Sequence, residues 1–442
     1  MNIKRAARRG GLAAAAVVAS AVLISACSTG TSGNTASSGN GKGTINVWSH
    51  QGTPEEVKAI QDTVNNFNAS QSDIKVNLKL IPGDSYTATI NSTPKDQMPD
   101  VLDMDGPTVA NYAYNGKIAA ISDYVSKSTV GNATDGAIAE GTYNNALYAL
   151  PQFDSAMGFF GNKKLFDAAG VKYPTSVNDA WTADEFAAAV KRLASANPSG
   201  KSLDITESGL SGEWGTYGFA PLIWSAGGNL IQDGKSQGVL DSAASVKALT
   251  QFASWKPYVD SNADGKAFQQ GRVAIGMGGH WLYPDYSKAL GSDLLVLPMP
   301  NMGNGEKAGA GSWTWGIGAD TKNGKAAGAF IDYLLNDTSV KAMTAADGAP
   351  PATKSAFKNA TIYQPGGALA LWGDQLAHAC PATSITSSCV AVYRPVTPGY
   401  TTITAKFSAA LGAIWGGASP QTELTNAAKA IDSNYADNNG YK

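Results

Sequence analysis

Residues 44–48 alternate, with Ile45 and Val47 on one face of an extended chain, and residues 74–80 alternate again through Ile74, Val76, Leu78 and Leu80. Both segments are predicted strands. Between them, Thr53-Pro54-Glu55-Glu56 supplies a side-chain cap, a proline at the first helical position and a glutamate that closes a capping box. Val57, Ile60, Val64 and Phe67 follow at helical spacing, so the unit reads strand, helix, strand. Such a crossover joins parallel strands, and open α/β sheets place their ligands beyond the carboxyl ends of those strands. Trp48, Ser49 and His50 lie at one such end. A third strand is expected over residues 101–104, running out into Asp105-Gly106-Pro107.

Farther along, Thr182 and Glu185 form a second capping box ahead of the inward stripe Phe186, Val190 and Leu193. Asp241 is expected to cap a helix carrying Val246, Leu249 and Phe252. Val273, Ile275 and Met277 alternate towards Gly278-Gly279-His280-Trp281, and helical patterns return over residues 326–335 and 423–435. No internal repeat is visible. Alternating helices and strands along 442 residues predict a mixed α/β body with length for two lobes.

The N-terminus obeys a different rule. Lys4, Arg5, Arg8 and Arg9 precede an apolar run over residues 11–26, the layout of a secretory signal. The run is shorter than the roughly 20 apolar residues of a permanent membrane span. Ile24-Ser25-Ala26-Cys27 resembles the lipobox of bacterial lipoproteins, in which cleavage before the cysteine frees it for acylation; an ordinary signal with an incidental cysteine is the alternative. Residues 1–26 are therefore read as a lipoprotein signal and 27–43, rich in Ser, Gly, Thr and Asn, as a flexible tether. Several acyl chains on Cys27 would supply the multiple anchoring that stable membrane attachment requires.

Composition narrows the choice of function. With 43% hydrophobic and 9% aromatic residues, neither disorder nor a coiled coil fits. The 33 basic residues against 35 acidic ones leave a net charge of −2, or −6 once the four N-terminal cations are removed, so no nucleic-acid partner is expected. Cys380 and Cys389 are the remaining cysteines, and in an exported chain they are expected to form a disulfide. The neighbouring His378 does not complete a metal site, and no metal or cofactor is expected.

Several blocks resemble the bacterial family 1 extracellular solute-binding proteins. They are Pro99-Asp100-Val101, Asn115-Gly116-Lys117-Ile118, Ala149-Leu150-Pro151 and Asn162-Lys163-Lys164-Leu165-Phe166-Asp167-Ala168-Ala169-Gly170-Val171. Residues 181–186, Ala226-Gly227-Gly228-Asn229-Leu230, residues 268–275 and 278–281, and Gly348-Ala349-Pro350-Pro351-Ala352 continue the likeness in order. Phe159-Phe160-Gly161-Asn162 departs from it, because the family usually shows an aromatic directly before the Asn. The resemblance implies a carbohydrate-binding lipoprotein of an ABC importer, held outside the cell membrane, monomeric, with permease subunits as partners. It implies an α/β, two-lobed fold of the periplasmic-binding-protein type (type II), whose lobes are joined by hinge strands and close over the ligand. Carried over, one lobe would hold residues 44–152 and 313–355, the other 153–312 and 356–442.

A sugar presents hydroxyls around its rim and C–H patches on its faces, so indoles answer the faces while carboxylates, amides and Arg answer the hydroxyls. Trp48, Trp281, Trp313 and Trp315 stand at expected strand ends or in Gly/Ser-rich turns, and Trp224 is a further candidate. Trp281 leads, because its place after Gly278-Gly279-His280 matches a family motif whose Trp stacks on sugar. Core packing is the alternative for each, and it is the reading for Trp214, Trp255 and Trp372. Asp105 and Asp154 are acidic candidates, although Asp at such places is also a turn former. Ser49, His50 and Arg394 complete the polar set.

A secreted glycoside hydrolase would also carry many Trp and a carboxylate pair. The chain shows no G-x-S-x-G and no H-E-x-x-H, and its Gly303-Asn304-Gly305-Glu306-Lys307-Ala308 lies in a loop rather than between strand and helix. A binding protein without catalysis is the expectation, with the hydrolase or a receptor for a non-sugar solute as alternatives. Mass spectrometry of the exported protein should find acylated Cys27 at its N-terminus; an intact signal or a cut elsewhere would refute the lipoprotein assignment.

Overall fold

The computed structural model describes residues 33–442 apart from 263, 382 and 383, so Cys27, the signal and the start of the tether lie outside the described residues. The first predicted unit is present. Strand β1 (Gly43–Gln51) pairs in parallel with β2 (Ile74–Pro82), and the helix Pro54–Ser70 between them starts with the expected Thr53 and Glu56 capping box. β1 also runs parallel to β3 (Val101–Asp105). β13 (Trp313–Gly318) lies antiparallel to β3, to β4 (Ile118–Ala119) and to β7 (Ala149–Pro151), completing a six-stranded sheet. β5 (Thr142–Tyr143) and β6 (Ala146–Leu147) form a small hairpin beside it.

A second sheet follows the order β11 (Leu294–Leu297), β8 (Met157–Asn162), β10 (Ile275–Gly279), β9 (Leu203–Asp204). β12 (Ala308–Ala310) and β14 (Ala391–Tyr393) make a separate parallel pair. The central strands β3 and β13 of one sheet and β8 and β10 of the other are buried on both faces, whereas the edge strand β2 alternates buried and exposed residues. Val101 points into one apolar cluster and Leu102 into another across the sheet. Phe159 and Phe160 do the same in the second sheet. These cores do not merge, and the result is two lobes.

The chain passes from the first sheet to the second between β7 and β8, and returns between β11 and β13. Phe153 bridges to Pro351 where a further segment runs alongside the first passage.

Three local readings need revision. Ser242, not Asp241, caps the helix Ala243–Ala253, its side chain accepting from Ser245 N, whereas Asp241 accepts from Gly238 N at 2.6 Å and from Thr425 Oγ1 at 3.0 Å. The helices Glu213–Ser225 and Tyr400–Trp415 had no predicted counterpart. The first is buried from Gly215 to Ser225 and contains Pro221, so it shows neither a polar face nor an unbroken pattern.

Cys380 and Cys389 are bonded, with their Cα atoms 4.8 Å apart. The cross-link closes the loop leading directly into β14, and Cys380 N donates to Ala391 O at 2.7 Å. Closing a loop of about ten residues should stabilise the fold by roughly 2 to 3 kcal/mol. Urea unfolding of a Cys380→Ser, Cys389→Ser variant should show that loss, and an unchanged midpoint would count against it.

Candidate ligand-binding cleft

Between the lobes lies a cleft of about 390 Å³, reached by the ends of β1, β3, β10 and β13. Trp313 and Asp105 are cross-strand partners in the register of β13 and β3, so both stand at the rim from the first lobe. His50 lies against Trp313 with ring centroids 3.7 Å apart and planes 13° from parallel. The second lobe contributes Trp214, Tyr217 and Trp281, with Trp281 edge-on to Trp214 at 6.1 Å. Trp281 folds back over its own strand end. A Cβ on Gly279 would stand 2.2 Å from the Trp281 ring, so that position tolerates only glycine without movement.

Arg394 ties the two walls together. Its guanidinium is bidentate on Asp105, at 2.8 and 2.7 Å, and also donates to Glu213 Oε1 at 2.7 Å. Its face lies 4.8 Å from the Tyr217 ring. Burial works against the guanidinium's charge, but Asp105 and Glu213 outweigh it and raise its pKa. Burial, with Asp105 close by, raises the Glu213 carboxyl, while Arg394 acts in the opposite sense. Thr404 Oγ1 and the Tyr400 hydroxyl also donate to Glu213.

Behind the first wall, a chamber of about 20 Å³ is lined by Ser49, His50, Glu56, Asp103, Gln152 and Trp315, among others, which is room for one water-sized group. Glu56 holds the helix cap through Thr53 N at 2.7 Å and at the same time lines the cleft. Burial, then Glu56, pushes the adjoining Asp347 carboxyl well above its usual range. His280 is buried, with Nδ1 3.3 Å from Asp347 O and Nε2 3.3 Å from Ser155 Oγ. Burial lowers its pKa to about 4, which keeps it neutral. The carbonyl accepts only, so Nδ1 carries the proton and Nε2 accepts from Ser155.

Of the sequence candidates, His50, Asp105, Trp281, Trp313 and Arg394 line the cleft. The others do not. Trp48 shares a strand face with His50 but sits two residues earlier, about 7 Å back from the strand end, under Lys79. Ser49 is turned inward and donates to Asp103 Oδ2 at 2.8 Å. Trp315 faces the core and donates to Gln152 Oε1 at 3.3 Å. Trp224 is enclosed in its helix's surroundings and donates to Asn229 Oδ1 at 3.1 Å. Asp154 is buried and joins passages: it accepts from Gly311 N at 3.3 Å, from Ser155 N at 2.7 Å and from the Tyr393 hydroxyl. Burial raises its pKa.

Trp214 reverses its expected core placement and lines the cleft, while Trp255 and Trp372 are core residues. Glu213, Trp214 and Tyr217 were out of reach because their helix was not legible. Glu56 was visible only as a cap. Asp103 could have been found from its strand, one alternation before Asp105.

The family model described as bacterial extracellular solute-binding protein matches residues 62–368. A solute-binding protein of an ABC transporter from Thermotoga lettingae, solved with α-D-tagatose, superposes with a TM-score of 0.75 at 21% identity, covering 88% of this chain and 99% of that one. An ABC substrate-binding protein of Listeria monocytogenes, solved with cycloalternan, gives 0.73 at 20% identity over 89% and 99%. An uncharacterized lipoprotein from the oleD 5′ region of Streptomyces antibioticus is 24% identical over 358 residues, 77% of this chain and 76% of its own. With its two lobes and the cleft between them, the chain belongs to the bacterial extracellular solute-binding proteins.

Proposed function

We propose that this protein is the saccharide receptor of an ABC importer. A lipid on Cys27 holds the monomer outside the membrane, the cleft captures a mono- or oligosaccharide, the lobes close, and permease subunits receive the cargo unchanged. The observation that carries this reading is the pairing of an indole on each wall, Trp313 and Trp281, with charged hydrogen-bonding groups between them. Indoles cover the C–H faces of a sugar ring, and Asp105, Arg394 and His50 answer its hydroxyls. Trp214 and Tyr217 extend the second wall. Trp48, Ser49, Asp154, Trp224 and Trp315 act behind these, holding strands and passages in place. The tagatose and cycloalternan bound by the structural neighbours support a saccharide and span a wide range of sizes.

The lobes would comprise residues 44–152 with 313–355 and 153–312 with 356–442, a division supported by the separate apolar cores. Catalysis is absent from this reading, since Asp105 and Glu213 both engage Arg394 rather than standing as free acid and base.

A thermal-shift screen against a saccharide library tests it: ligand at 100 times Kd should add roughly 2.7 kcal/mol of stability. No shift with any saccharide, or hydrolysis products on incubation, would overturn the proposal. For the saccharide that binds, Trp281→Ala should weaken calorimetric affinity by about 5-fold to 150-fold, taking stacking losses on nucleobases as the guide. Its unfolding free energy without ligand should change by no more than about 1 kcal/mol, against about 3 to 5 kcal/mol for Trp224→Ala in the core. The reverse pattern would remove Trp281 from the site.

A further inference from the structure

His50 enters the cleft already held from behind. Its backbone N–H donates to Asp103 Oδ1 at 3.1 Å, and its Nδ1 lies 2.8 Å from Asp103 Oδ2, which also accepts from Ser49 Oγ at 2.8 Å. Asp103 is 2% exposed, so water does not compete for these bonds. An ionised carboxylate only accepts, and the Nδ1 proton is therefore fixed on the Asp103 side. Nε2 has no partner among the described residues and is not enclosed. Gly52 and the Glu56 carboxylate border it on the cleft: a Cβ on Gly52 would stand 3.2 Å from Nε2 and 1.6 Å from Glu56 Oε2. The imidazole plane is meanwhile pressed against Trp313 at 3.7 Å.

From this geometry we infer that Asp103 is a positioning residue for ligand recognition, presenting His50 Nε2 to a hydroxyl of the ligand while the imidazole backs the Trp313 face on which a sugar ring rests. The inference depends on the saccharide reading for the identity of the hydroxyl. Above the His50 pKa, Nε2 is bare and accepts the hydroxyl's hydrogen; below it, Nε2 carries a proton and donates. Burial opposes charge on the ring, yet Asp103, then Glu56 and Asp105, prevail and hold its pKa above the ordinary value. The other rings packed on it, Tyr86 and Trp313, are neutral.

Asp103→Asn separates this role from simple packing. The His50 backbone N–H keeps the new side chain's oxygen in place, so its amide NH2 faces Nδ1. Nδ1 must then accept, and the ring proton moves to Nε2. Only three histidines are present, so ¹⁵N NMR resolves the tautomers, with His50→Phe assigning the signal. Wild type should show neutral His50 protonated at Nδ1 and a titration midpoint above those of unperturbed histidines. Asp103→Asn should show the Nε2–H tautomer and a lower midpoint. For the saccharide with the largest thermal shift, Asp103→Asn should bind about 3-fold to 10-fold more weakly, the size of one hydrogen bond. In a His50→Phe background, which keeps a stacked ring without nitrogens, the same substitution should cause no further loss.

A wild-type His50 protonated at Nε2 when neutral overturns the inference, as does an equal affinity loss in both backgrounds. The wild-type tautomer and His50→Phe affinity decide the matter even if Asp103→Asn does not fold. Failure of every saccharide to bind, with the tautomers as stated, overturns the sugar reading alone and leaves the Asp103–His50 lock standing.

Discussion

A guanidinium cannot sit inside a protein without carboxylates to meet it, and Arg394 finds one on each lobe. Asp105 ends β3 in the first sheet, and Glu213 opens a helix of the second lobe. Bidentate geometry at Asp105 fixes angle as well as distance, so the spacing of the aromatic walls follows from where this one charge must rest. Tyr217 lies beneath the guanidinium, while Tyr400 and Thr404 hold Glu213. Removing both carboxylates would leave the guanidinium buried without a partner, a cost of several kcal/mol. The two walls of the cleft are thus joined by an ion pair rather than by apolar contact alone.

Around that pair the polar groups fall into two sets. Those on the cleft keep an unengaged atom or ring face, as His50, Trp281 and Trp313 do. Those one layer back are neutral or fully engaged: His280 between Ser155 and the Asp347 carbonyl, Asp103 under Ser49 and His50, and Asp154 among three segments of chain. Low dielectric in that layer makes each bond count for more and each vacancy cost more, which gives the outer groups a stiff backing.

What could be read from sequence was whatever kept one face in water. The helices Pro54–Ser70 and Ala183–Ala196 announce themselves by stripes and capping boxes because their outer faces are polar. The helix Glu213–Ser225 has no such face, and with it Glu213, Trp214 and Tyr217 stayed hidden. Strand ends carried much of the rest: His50 and Asp105 were legible because β-alternation and crossover logic place side chains without knowledge of packing, and Trp281 through the family motif that its Gly278-Gly279-His280 lead-in resembles. The same logic could not say how far β1 would run. Its extension to Gln51 put His50 at the cleft and left Trp48 behind. Glu56 shows a different limit, since a residue with one sufficient explanation hides a second.

The passages between lobes also govern how the chain comes into being. β13 is the strand that joins β3, β4 and β7, yet it arrives only at residues 313–318, after the whole of the second sheet. Until then the first lobe has a parallel trio, β2, β1 and β3, in which β3 lacks its outer neighbour. A ribosome feeding the chain N-terminus first therefore cannot finish the first lobe early, and its decisive contacts span more than 200 residues, from β3 to β13. Contacts so distant in sequence are slow to form. For a chain of an extracellular family that delay is an advantage: a polypeptide bound for export stays threadable for as long as its own topology withholds the central strand.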